Sequence, residues 1–218
     1  MKKILLIIFI LLCLAIFSKN IFSRLIISGL SKSIEREVYI NNIDINYFKK
    51  KIILNLVEVR NINKFYYKNI FKADKVIIQY NFNSIFENFI KIDYLSFLNP
   101  SFFLEFDNKN NPTIIVDDNI KVLEKLKKNY KQKTYPTKKK DRNFIILKTE
   151  LNNSKAFIKI SSRTKETKID LSNMVFHKIG NKKGLQHYKK ALEIILRDVF
   201  LKVPDQNLRD LIKKTYNL

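Results

Sequence analysis

One apolar spacing recurs four times along this chain: a step of two residues, then three, then usually two. Val38, Ile40, Ile43 and Ile45 form the first copy, and Leu54, Leu56 and Val59 a shortened second. Ile90, Ile92, Leu95 and Phe97 form the third, and Ile169, Leu171, Met174 and Phe176 the fourth. Alternation with period two marks a strand with one buried face. The extra residue in the middle is what a β-bulge needs to keep apolar side chains on that face while the strand bends. Repeated bulges curve a sheet, so the spacing predicts a curved, one-sided apolar sheet.

The rest of the chain fits that frame. Strands are expected at Glu37–Tyr47, Lys51–Val59, Ala73–Tyr80, Ile90–Phe97, Ser101–Phe106, Phe144–Leu151, Lys155–Ile160 and Thr167–Phe176. Pro100 separates two of them, because proline cannot sit in a central ladder. Short connections between consecutive strands predict antiparallel meanders. Asp117 and Asp118 read as a helix cap before Ile120, Leu123, Leu126 and Tyr130 at helical intervals. The basic stretch 131–142, broken by Pro136, reads as a flexible solvated loop. A second helix is expected from Leu185 to about Leu201, with Tyr188, Ala191, Leu192, Ile195 and Phe200 in one stripe. Pro204 stops it, and Asp205 is placed to cap a short terminal helix carrying Leu208, Leu211 and Ile212.

The N-terminus bears on the compartment. Lys2 and Lys3 precede an unbroken apolar run from Ile4 to Phe17. That is the basic and hydrophobic part of a signal sequence, but without a clean small-x-small cleavage site. Apolar residues resume at Ile21, Phe22 and Leu25, so a helix from about Ile4 to Leu25 reaches the ~20 residues needed to span hydrocarbon. The reading is a retained signal anchor rather than a cleaved peptide, with the remaining chain on the outer side of the membrane. The expected organisation is an anchor over 1–25, a helical connector over 26–36, a curved-sheet domain over 37–201 and an amphipathic helix over 202–218. The fold class is therefore α+β: a transmembrane helix, then a curved, bulged antiparallel sheet of about eight strands with two or three covering helices.

The net charge of +22 invites a nucleic-acid reading, but its make-up argues against one. Of the 42 basic residues 35 are Lys and 7 Arg, and Arg is the residue that supplies bidentate base contacts and stacking. Asn, Ile, Phe and Tyr are abundant as well, and all of these residues have A/T-rich codons. No nucleic-acid partner is expected. A basic surface is compatible with anionic lipid, where each Lys or Arg near the surface contributes about 1 kcal/mol.

Catalytic chemistry is hard to assemble from this sequence. The two histidines, His177 and His187, have no Cys partners nearby, and four-ligand zinc spacing is missing. Three glycines leave no phosphate-cradling loop and no G-x-S-x-G elbow. Asp117 and Asp118 are explained by the cap. Asp44, Glu58, Asp93, Glu105 and Asp170 fall where alternation places them on the polar face. The chain is expected to be no enzyme and to carry neither cofactor nor metal. The single cysteine, Cys13, cannot form a disulfide within one chain.

From Ser31 to about Phe106 the order of these signals resembles the N-terminal region of AsmA-like bacterial envelope proteins. The resemblance runs through VYINNIDINYF, IILNLVEVRNINKF, FKADKVIIQYN and IFENFIKIDYLSFLNPSFFLEF, and KIDLSNMVFHKIGNKKG before a helix resembles the short members of that group. It implies a protein anchored in the inner membrane of a Gram-negative bacterium by a single pass, with its bulk in the periplasm. It also implies a curved sheet related to lipid-transfer grooves and tied to outer-membrane assembly. About eight strands at roughly 4.8 Å each make a sheet on the order of 40 Å wide, too short to cross the periplasm alone.

The residues placed on the inner face, and so the candidate lipid contacts, are Ile43, Ile45, Val76, Ile78, Tyr80, Ile92, Phe102, Leu104, Ile169 and Leu171. A single-layer sheet cannot leave such a face in water, so either its own helices or lipid must cover it. The first predicts a closed core, with the chain serving as a scaffold for envelope protein partners. The second predicts a groove for membrane lipid, phospholipid above all. The oligomeric state is left open.

Overall fold

The computed structural model describes residues 23–32, 34, 36–61, 65–81, 84, 89–106, 143–160, 166–180 and 186–216. Helix α1 (23–32) leads into β1 (Val38–Asn46) and β2 (Lys51–Arg60), joined by a turn in which Asn46 Oδ1 accepts from the Lys49 N–H at 2.8 Å. Then come β3 (Asn69–Tyr80), β4 (Phe89–Leu98), β5 (Ser101–Phe106), β6 (Asn143–Asn152), β7 (Lys155–Ile160), β8 (Thr167–Asp170), β9 (Met174–Gly180) and β10 (Gln186–His187). Helices α2 (Tyr188–Lys202) and α3 (Gln206–Tyr216) follow. Asp205 caps α3, its Oδ1 accepting from the Leu208 N–H at 3.0 Å.

The fold is α+β, with ten strands in one sheet among the described residues rather than about eight. It is mixed, which corrects the antiparallel expectation: β4 pairs β6, β5 pairs β7 and β10 pairs β9 in parallel. Parallel neighbours ordinarily need a crossover of a dozen residues or more, and the stretch 107–142 between β5 and β6 has that length for β4–β6 and β5–β7. The two-residue β10, by contrast, follows β9 after only 181–185. The helix expected near 120–130 and the basic loop at 131–142 lie outside the described residues. So does the apolar run from Ile4 to Phe17. Among the described residues no helix is long and apolar enough to cross a membrane. Helix α1 runs through the expected anchor–connector boundary at residue 25 without a break.

Three pairs of strands are single strands interrupted at one place. Lys75 faces Leu98 of β4 and Phe71 faces Phe102 of β5, as one unbroken strand would place them. The same holds for β6 and β7 against β4 and β5, and for β9 and β8 against β6 and β7. The interruptions line up at Asn99–Pro100, Asn153–Ser154 and Leu171–Asn173. Main-chain bonds cross between them: Asn99 N–H to Asn152 O, Lys155 N–H to Pro100 O, and Leu171 N–H to Ser154 O, at 2.8–3.0 Å. Asn99 and Asn153 take the left-handed conformation, which Asn tolerates better than most residues. The line continues through Leu56, also left-handed at φ 51°, and the exposed pair Asn41–Asn42 of β1. A second line of irregularity runs through the Gln79–Tyr80 register shift, Asp93 and left-handed Lys178. The three-residue steps of the recurring spacing fall on these irregularities, but only Asp93, opposite the Gln79–Tyr80 shift, is a bulge. Along the first line the register is unshifted, so those steps are coordinated breaks rather than the expected bulges. The other register shift, at Val59–Arg60, lies outside the spacing. In β2 the buried residues are Leu54, Val57 and Val59, and the left-handed Leu56 is not a member of the buried face, which corrects the second copy of the spacing.

Candidate functional site

Because register holds across the bend, apolar residues line up in rows that cross the sheet. One row is Ile43, Leu54, Val76, Phe97, Leu151 and Met174, each facing the next across a strand pair. Beyond the bend a second row joins Val38, Val59, Phe71, Phe102, Ala156 and Ile169. A third joins Ile45, Ile52, Ile78, Leu95, Thr149 and Phe176, and a fourth Tyr80, Ile92, Ile146 and Ile179.

Two clusters cover this face. Ile26, Ile27 and Leu30 of α1 pack against Val38, Ile40, Ile43, Leu54, Val57, Val59, Ala73 and Val76. Ala191, Ile195, Leu196 and Val199 of α2, then Val203, and Leu208 and Ile212 of α3 pack against β5–β9. Phe97 belongs to the margin of both clusters. Around it Ile45, Ile52, Phe71, Ile78, Leu95, Phe102 and Ile146 are only half-buried. Phe71 stands edge-on to Phe97 at 5.9 Å and tilted to Phe102 at 5.4 Å between ring centroids.

The residues expected from the sequence therefore share one face but differ in cover. Ile43 and Val76 are buried in the α1 cluster, and Leu104, Ile169 and Leu171 in the α2–α3 cluster. Tyr80 is buried, while Ile45, Ile78, Ile92 and Phe102 are half-buried. Sequence reasoning missed Ile52, Phe71, Leu95 and Phe97, which form the middle of the half-buried band. Leu95 and Phe97 carry the recurring spacing, and that signal could have placed them. Thr149 is the polar exception in its row: it is buried, and Oγ1 has no hydrogen-bond partner among the described residues.

The opposite face is mixed, with Ile53 facing Ile77 and Phe103 facing Phe157, but it holds the strand carboxylates: Glu58 bridges Arg60 and Lys72 at 3.4 and 3.5 Å. Lys148 pairs with Glu150 at 2.6 Å, and the Tyr94 hydroxyl donates to the same carboxylate. Those two hydrogen bonds hold the Glu150 carboxyl below its ordinary range. Glu105 departs from the expectation of a solvated carboxylate. It lies on this face but is only 1% exposed, because residues 65–68 fold over it. The N–H groups of Tyr66 and Tyr67 donate to its two oxygens at 2.9 and 3.0 Å. Tyr67 packs on Phe103, which stacks on Phe157, and Lys159 sits 4.0 Å above the Tyr66 ring. Burial, then the hydrogen bond to Glu166 at 2.8 Å, raises the Tyr67 phenol far above its ordinary value. A half-open cleft of roughly 440 Å³ beside this loop is lined by Glu37, Arg60, Asn61, Phe65, Tyr66, Tyr67 and Lys68. Among the described residues no three His, Cys, Asp or Glu side chains are grouped to hold a metal ion.

Compared with known proteins, the chain matches no family model, no curated protein and no solved structure.

Proposed function

We propose that this is a non-enzymatic envelope protein, anchored in the inner membrane by its N-terminus and facing the periplasm, that binds or hands over lipid acyl chains in support of outer-membrane assembly. One observation carries the reading: the band around Ile78, Leu95 and Phe97 is continuous with buried apolar rows yet is left half-buried between the two helical covers. An apolar band of that kind is a place for a chain of CH₂ groups, each contributing ~0.8 kcal/mol when removed from water. The resemblance to AsmA-like proteins and the basic surface, suited to anionic headgroups, support the same reading.

A photoreactive amino acid in place of Ile78 or Leu95 tests it in the full chain within its membrane. Lipid binding on this face requires a phospholipid adduct at these positions and none at Lys72, on the opposite face. Adducts of equal yield at all three positions, or none at 78 and 95, refute it. The second reading is a scaffold module for an envelope complex, favoured by the extent of the face that α1, α2 and α3 already cover. A single protein adduct of defined mass at 78 or 95, without lipid, selects that reading.

A further inference from the structure

We infer that the outer edge of β1 is a self-pairing edge, on which a second copy of this chain docks strand to strand about a two-fold axis between Asn41 and Asn42. Among the described residues β1 pairs with β2 alone, so it ends the sheet. Edge strands ordinarily carry Lys, Pro or an inward charge, or are very short, because an open ladder templates pairing with another chain. The edge at β8 obeys that rule: it is four residues long and carries Lys168. Strand β1 does not. It is nine residues long, VYINNIDIN, and holds neither Lys nor Arg in a chain that has 42 of them.

The apolar spacing selects the partner. Val38, Ile40, Ile43 and Ile45 read two, three, two in either direction, so the pattern is its own mirror image. Strand β2 already shows what this does: Val59, Val57, Leu54 and Ile52 stand opposite those four residues in order. A second β1 running antiparallel offers the same complement. In that register Ile40 of each copy faces Ile43 of the other on the covered face. Asn41 faces Asn42, and Tyr39 faces Asp44. No like charges meet, and Asp44, the single charged residue of the strand, faces a tyrosine that is 44% exposed in one copy alone. The row through Ile43, Leu54 and Val76 then continues into Ile40, Val57 and Ala73 of the second copy, which makes one apolar surface of two sheets. The Ser31 hydroxyl accepts from the Val38 N–H at 3.0 Å and bounds the pairing, so it runs from Tyr39 to Asp44. A two-fold contact of this kind closes and does not propagate.

The test uses the full chain in a mild detergent with Cys13→Ser, so that the sole native thiol is absent. Mixing an Asn41→Cys chain with an Asn42→Cys chain is expected to give a disulfide-linked pair, since directly opposed residues on antiparallel strands lie within disulfide reach. Sedimentation is expected to give twice the chain mass, and Asn41→Lys to return it to the single-chain mass with an unchanged melting curve. If Asn41→Lys unfolds the chain, Tyr39→Lys, at another exposed edge position, takes its place. Because each chain carries +22, raising salt from ~0.05 M to ~0.5 M is expected to shift the equilibrium towards the pair. A single-chain mass at every concentration overturns the inference. A pair that neither cross-links in this register nor responds to the edge lysines overturns it as well.

Discussion

Removing the α1 cover is the sharpest way to test how this fold is held. The helix contributes Ile26, Ile27 and Leu30 to the cluster over β1–β3, and all three are half-buried or less. Truncating a fully buried Ile or Leu to Ala costs about 2–5 kcal/mol, so a half-buried one should cost about 1–2. The triple variant Ile26→Ala, Ile27→Ala, Leu30→Ala is therefore expected to lose about 4 kcal/mol, a large share of the roughly 5–15 kcal/mol of an ordinary domain. For a domain of this size each kcal/mol moves the melting temperature by about 2–4 °C, giving a drop on the order of 8–16 °C. Leu25, on the same helix, is 63% exposed and serves as the control, with Leu25→Ala expected to stay within about 0.5 kcal/mol. Urea unfolding of the full chain, followed by tyrosine fluorescence, measures both. If the triple variant and the control lose the same small amount, α1 does not cover the first core and the reasoning fails. Truncation to Ser31 would discard all three side chains, so domain-level assays need the helix.

Two further outcomes follow from the face that holds the carboxylates. Glu105→Ala leaves the Tyr66 and Tyr67 N–H groups without their acceptor, and at about 1.5–3 kcal/mol per bond to a charged group the variant should lose at least ~2 kcal/mol in the same urea assay; full stability would mean that water serves the loop equally well. Tyr67 keeps its proton in the folded chain while the unfolded phenol ionises near 10.0, so its contribution is present below that pH and lost as pH rises past it. Tyr67→Phe should flatten the alkaline loss of stability above pH ~10 by about 1.4 kcal/mol per pH unit, and an unchanged slope would contradict the burial of that phenol.

Much of the sheet was legible because a break in strand alternation leaves an arithmetic trace, whether the break is a bulge or an unshifted interruption. The three-residue steps at Ile40–Ile43, Ile92–Leu95 and Leu171–Met174 coincide with the Asn41–Asn42 irregularity, the Asp93 bulge and the β8–β9 break. Leu56 was misplaced for a plain reason: apolarity does not reveal a left-handed φ, and both Leu56 and Val57 are apolar. Parallel pairing was not legible, because it depends on where the long connection 107–142 delivers the chain and not on any local pattern. Alternation put Glu105 on the correct face, yet burial by residues 65–68 is a tertiary fact that strand periodicity cannot carry. On the apolar face the spacing could identify which side chains point inwards. It could not separate those under a helix from those beside one, since Val76 and Ile78 carry the same signal and differ only in what stands above them.

The aligned interruptions have a mechanical consequence. They cross successive strands at the same height, so they make a crease, and a creased sheet yields about its crease before it yields anywhere else. Each helical cover rests on residues from both sides of it: Ile40 and Ile43 under α1, Leu151 and Ile158 under α2 and α3. The helices are thus splints as well as lids. With the main-chain bonds at Asn152, Pro100 and Ser154 they tie together the two sides of each interruption, so the angle at the crease and the packing of the helices are fixed by the same contacts.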